Sequence, residues 1–134
     1  MPGEFLDSNI LVYAFTSDPR ATRAQDLLDR RCIIGVQGLN EFTNVARRTL
    51  GMTWGEVREA LAAIRTLCRT ILPMDINTHA GALRIADRYG YAIFDALIVA
   101  SALNANCRVL WSENMQDGIV IERQLRIANP FRAG

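Results

Sequence analysis

The chain has 134 residues, half of them hydrophobic and 22% charged, with a formal net charge of +1. That length suits one domain over residues 1–134, with a core large enough to stand without disulfides or a structural metal. The composition excludes a disordered chain, and the near-neutral balance gives no overall electrostatic footprint for nucleic acid.

Glu4 to Asp7 has the look of a short buried strand ending in an acid. Asp7 or Ser8 can then cap a short helix through Val12 and Tyr13. The apolar run Ile10–Phe15 has no basic region before it, and Glu4 and Asp7 interrupt its approach, so no secretory signal is expected. No stretch reaches the roughly 18–20 apolar residues of a membrane span. A cytoplasmic protein without membrane contact is the expectation.

Residues 20–31 set Ala24, Leu27 and Leu28 among charges, which predicts an amphipathic surface helix. Cys32–Val36 is expected as a second strand. Asn40–Leu50 carries Phe42, Val45 and Ala46 on one side and is expected as a helix. Thr53 can cap a longer helix over 54–69, whose stripe of Val57, Leu61, Ile64 and Cys68 is also a candidate dimer face.

Thr70–Asp75 is expected as a third strand, followed by a helix from Thr78 to Tyr89 that stops near Gly90. Asp95 opens the most apolar helix, Ala96–Ala105, expected at the centre of the core. Arg108–Trp111 gives a fourth strand and Leu125–Ala128 a short fifth. Strands alternating with helices argue for an α/β sandwich with a mainly parallel sheet, whose functional groups gather beyond the carboxyl ends of the strands.

Several isolated residues are expected to be structural. Cys32, Cys68 and Cys107 lack CxxC spacing, and with the single His79 they do not make a zinc site; buried thiols in a reducing compartment are expected. Asp75 is expected to cap its helix, and Trp54 and Trp111 to pack. All fifteen basic residues are arginine, suited to phosphate but equally explained by codon bias. Arg47 and Arg48 are expected on a solvated face.

The carboxylates carry the chemistry. Asp7 lies between a strand and a helix, where cap and ligand are both open readings. Asp95 opens a helix but sits between Phe94 and Ala96–Val99, where an acid is costly to hide without a compensating charge. Glu41 is expected within the first turn of its helix, beside Leu39 and Phe42. Ser112, Glu113, Asn114 and Asp117 follow a strand directly and all offer oxygen. Clustered carboxylates repel unless cations sit among them, and hard oxygen donors select Mg²⁺ or Mn²⁺. Such ions serve phosphodiester hydrolysis.

Four ordered segments resemble the PIN-domain endoribonucleases, and among them the VapC-type toxins of bacterial toxin–antitoxin pairs. They are Phe5–Tyr13 around Asp7, Leu39–Phe42 with Val45–Arg48 around Glu41, Phe94–Ala100 around Asp95, and Leu110–Gly118; the ending Ile127–Phe131 is similar as well. The resemblance implies a single-domain PIN-like sandwich with a mainly parallel sheet of four to five strands flanked by helices. It implies a metal-dependent endoribonuclease, the toxin of a type II pair. Asp7 and Asp95 would bind Mg²⁺ or Mn²⁺, Glu41 would bind metal or position water, and Asn9 and Ser112 would steady ligands. RNA substrate, a cognate antitoxin and a homodimer are the implied partners.

One departure matters. Many members have Asp where this chain has Asn114, so Asp117, with Glu113 behind it, is the candidate for the fourth catalytic acid. The alternative is a catalytically weak or inactive PIN-like binding scaffold. A phosphatase using Asp7 as nucleophile is disfavoured, because position 9 is Asn and the chain has no lysine.

Overall fold

Phe5 and Leu6 are chain neighbours, both fully buried, yet they belong to different hydrophobic clusters. Side chains alternate across a strand, so a central strand buried on both faces feeds two cores. Ile33 and Ile34 divide in the same way, as do Leu110 and Trp111. These pairs mark the middle of a three-layer α/β/α molecule.

The computed structural model describes residues 3–132. Its strands are β1 (Glu4–Leu6), β2 (Ile33–Gly35), β3 (Thr70–Leu72), β4 (Val109–Trp111), β5 (Val120–Ile121) and β6 (Leu125–Ala128). They form one sheet in the order β3-β2-β1-β4-β6-β5, parallel throughout except where β5 pairs antiparallel with β6. The helices are α1 (Ser8–Tyr13), α2 (Ala21–Leu28), α3 (Val36–Arg48), α4 (Trp54–Leu67), α5 (Ile76–Tyr89) and α6 (Ile93–Asn104).

The order of the strands dictates where the helices go. From β1 the chain moves outward to β2 and β3, then returns past β1 to β4. Right-handed crossovers taken in opposite directions put their helices on opposite faces. Accordingly, buried residues of α1 to α4 share one cluster, and those of α5 and α6 share the other. Helix α6 is buried all round from Ala96 to Ala102, wedged beneath α5 against the sheet. The reversal leaves a switch point between β1 and β4, and in folds of this type functional groups gather beyond the carboxyl ends of such strands.

Local signals set most of the boundaries. Asp7 caps α1, Asp75 caps α5, and Thr53 forms a reciprocal capping box with Glu56 at the start of α4. Gly90 ends α5 with a φ of 77°, the left-handed cap that glycine supplies without strain. Cys32, Cys68 and Cys107 are free and buried, as expected.

Several expectations are corrected. Strand β2 stops at Gly35 and α3 begins at once with Val36, four residues before Asn40, because extended Gly35 serves as the cap without a polar side chain. Glu41 therefore lies in the second turn, out of reach of the helix-end dipole. Strand β3 ends at Leu72, before Pro73, and α5 starts at Ile76. The sheet has six strands: β5 was not foreseen, since its turn into β6 places Glu122 and Arg123 at φ 52° and 59°, positions usually marked by Asn-Gly. The stripe of α4 does not stand free as a dimer face, because Val57, Ile64 and Cys68 are buried against their own chain and Leu61 is partly buried there. Trp54 is 54% exposed rather than packed, with Arg47 over its ring at 4.5 Å.

Candidate active site

Asp7 follows β1 and Ser112 follows β4, the two strands that flank the switch point. The Asp7 amide donates to the Trp111 carbonyl at 3.0 Å, continuing the ladder one residue beyond β1. The Ser112 hydroxyl, fully buried, donates to Asp7 Oδ2 at 2.7 Å. The backbone N–H of Ser8 donates to Oδ1 at 2.6 Å. Cap and site residue are thus one and the same: each carboxylate oxygen has two lone pairs, and the α1 cap uses part of one oxygen.

Asn9 ties this carboxylate to the loop after β4. Its side-chain N–H donates to Asp7 Oδ2 at 3.4 Å, and its carbonyl oxygen accepts from the Glu113 amide at 3.3 Å. The Asn114 amide in turn donates to Ser112 Oγ at 3.3 Å. Asn9 and Ser112 thus both donate to the Asp7 carboxylate.

Asp7 is only 3% exposed, and its proton affinity records that burial. Desolvation pushes its pKa up to about 6 from an ordinary 3.8. The Ser112 and Ser8 hydrogen bonds pull it down, while the negative charges of Glu41 and Asp95 push it up further. Glu41 of α3 and Asp95 of α6 are near enough for their charge to be felt at Asp7, although the three side chains do not close around one point. Asp95 lies in the first turn of α6, where the helix end favours an anion, yet partial burial raises its own pKa. Glu41 accepts from Gln37 at 3.4 Å and faces a cleft of about 300 Å³ shared with Asn40, Asn44 and Phe94.

The candidates for a fourth acid are otherwise engaged. Glu113 accepts from the Tyr13 hydroxyl at 2.6 Å and pairs with Arg20 at 3.5 Å, while Arg20 also donates to Tyr13. Asp117 is exposed; it accepts from the Asn129 amide at 2.8 Å and pairs with Arg132 at 3.5 Å, pinning the chain after β6. The Asn114 side chain is exposed. The contacts of Glu113 and Asp117 join residues far apart in the chain, so no local spacing announces them. The amide-bearing face of α3 was also missed, although Gln37, Asn40 and Asn44 have helical spacing.

Among the described residues, no three His, Cys, Asp or Glu side chains gather closely enough to enclose an ion. The donor set still fits a hydrated one. Mg²⁺ keeps several of its waters and is usually held by one or two carboxylates rather than by a full protein cage. A buried carboxylate pressed by two further acids, with only oxygen donors around it, is a place where a hard cation relieves repulsion.

The fold and the site define a class: a doubly wound α/β domain with a buried acid, Asp7, at its switch point and two further acids within range of its charge. The PIN domain family model matches residues 5–118, and the chain belongs to that family. Its fold is that of VapC-type toxins. A toxin–antitoxin complex from Klebsiella pneumoniae superposes with a TM-score of 0.74 at 17% identity, covering 97% of this chain and 99% of that one. The sarcin–ricin-loop-cleaving VapC toxin of Mycobacterium tuberculosis gives 0.65 at 18% identity, covering 83% and 91%. A VapBC pair from Rickettsia felis, bound to a DNA fragment from its promoter, gives 0.67 at 18% identity, covering 94% and 97%. No curated protein matches the chain at a significant level.

Proposed function

We propose that the chain is a metal-dependent endoribonuclease and the toxin of a type II toxin–antitoxin pair. The observation that carries this reading is Asp7: buried, raised to about 6, and flanked by the charges of Glu41 and Asp95 at the switch point of the sheet. A carboxylate that only stabilised the fold would not be expected to sit buried and within range of the charge of two further acids.

Asp7 and Asp95 are the residues that hold Mg²⁺ or Mn²⁺ in this proposal, with Glu41 as a further ligand or as the group that orients water. A bound ion supplies acidity for an attacking water and neutralises charge at the phosphate. Ser112 and the Ser8 amide both donate to Asp7, favouring its ionised form and fixing its direction. Asn9 keeps the loop after β4 against that carboxylate. Gln37 restrains Glu41 on the opposite wall.

Glu113 and Asp117 enter this reading as buttresses of the loop after β4, and Asn114 as a neutral oxygen donor at its rim. Their engagement favours a second reading, a catalytically weak or inactive scaffold, because neither acid offers a free charge. Turnover separates the two. Folded Asp95→Ala and Glu41→Ala chains should lose RNA cleavage if the three acids form the site. Absence of cleavage by the unaltered chain, with metal bound, would favour the scaffold.

A cognate antitoxin is the proposed partner, supported by the toxin–antitoxin complexes that share the fold. An antitoxin arginine would find strong charge-assisted acceptors among these carboxylates. A homodimer in the cytoplasm completes the proposal, by family resemblance. Among the described residues, no helix is long and apolar enough to cross a membrane.

A further inference from the structure

Next to the acids lies a cleft of about 300 Å³, lined by Gln37, Asn40, Glu41 and Asn44 of α3 and by Phe94 of α6. That volume is at the low end for small-ligand clefts. Residues 37, 40, 41 and 44 fall three and four apart, so their side chains share one stripe of α3. Across from them Phe94, 59% exposed, immediately precedes Asp95. We propose that this cleft is a base-reading subsite, in which one unpaired RNA base stacks on Phe94 while the α3 amides hydrogen-bond its edge.

Three features point to a base, and all rest on the ribonuclease reading above. An open aromatic ring offers stacking to any base, which is how single strands are commonly held. A side-chain amide carries both a donor and an acceptor, so it can match the paired donor and acceptor atoms along a base edge. Gln37 is engaged with Glu41, whereas the side chains of Asn40 and Asn44 are exposed and make no hydrogen bond to the protein among the described residues.

Position gives the subsite its meaning. Phe94 and Asp95 are consecutive, and Glu41, one of the three acids of the proposed site, lines the cleft itself. A base held here is next to the phosphate being cut, so recognition selects the cleavage position. Phe94 acts by contact area and the amides by complementarity, and the two contributions are separable.

The test measures binding of short unstructured RNAs that differ at one base. The full chain carries Asp7→Asn to block cleavage, with Phe94 intact or changed to Ala or Tyr. Phe94→Ala is expected to weaken binding about tenfold, with recovery in Phe94→Tyr. Asn44→Ala and Asn40→Ala are expected to flatten the preference among the four bases. Equal affinity with and without the Phe94 ring, in chains whose circular dichroism matches, would overturn the subsite alone. A parent chain that binds none of these RNAs would overturn the subsite, whereas the nuclease reading stands or falls separately on cleavage by the unaltered chain.

Discussion

Ser112 donates its hydroxyl hydrogen to Asp7 Oδ2 at 2.7 Å, joining residues 105 positions apart across the switch point of the sheet. Both groups are buried, so this bond replaces water that the carboxylate has lost. A hydrogen bond to a charged group contributes about 1.5–3 kcal/mol. Ser112→Ala should therefore lower stability by that order at pH 8 and raise the Asp7 pKa further. Urea unfolding and a carboxyl NMR titration would measure the two effects.

Asp7 also gives the metal-free protein a pH-dependent stability of definite sign. Its pKa is 3.8 ordinarily and about 6 in the fold. Between those values the folded chain keeps a proton that the unfolded chain releases. Stability from this group is therefore full below about 4, falls as pH rises to about 6, and is then lower by about 3 kcal/mol. Asp7→Asn should remove that dependence and leave the chain more stable than the parent at pH 8 in chelator. Adding Mg²⁺ should raise the Tm of the parent and leave the variant unchanged.

Asp117 is engaged with Asn129 and Arg132 at the end of the sheet. Asp117→Ala should cost about 1 kcal/mol of stability, the usual worth of a lost hydrogen bond, and leave the cleavage rate unchanged. A large loss of cleavage at unchanged stability would instead make Asp117 the fourth acid.

Burial pushes the thiols of Cys32, Cys68 and Cys107 up to about 12, 11 and 11. Thiolate is the reactive form, so a thiol reagent at neutral pH should label none of the three in the folded chain. All three should react together in denaturant. Early labelling of one would report local opening around it.

The Tyr91 hydroxyl is buried without a hydrogen-bond partner among the described residues. Removing an unsatisfied buried donor is neutral or favourable. Tyr91→Phe should hold or raise the urea midpoint, and a clear fall would mean that the hydroxyl has a partner in solution.

The residues differ in how plainly the sequence announces them. Asp7 and Asp95 stand out because an acid beside an unbroken apolar run needs a compensating reason to be there. Glu41 was recognised, but its place in the helix was misjudged, since Gly35 and Val36 carry no polar cap to mark where α3 begins. The alternation of strands and helices gave the parallel sheet. Strand β5 escaped because Glu122 and Arg123 take the turn conformation that Asn and Gly usually signal. The Tyr13–Glu113 bond spans 100 positions and the Asp117–Asn129 bond joins two loops, so both depend on the folded topology. The amides of α3 read as a solvated face until Phe94 is seen opposite them.

The most direct test of the central claim sets unaltered chain beside Asp7→Asn, each purified free of antitoxin, on a mixed cellular RNA pool with Mg²⁺, Mn²⁺ or chelator. Discrete cuts by the unaltered chain that need metal, and none by a folded and more stable Asp7→Asn, are the predicted result. Cleavage that persists in the variant, or in chelator, would contradict a metal site built on Asp7.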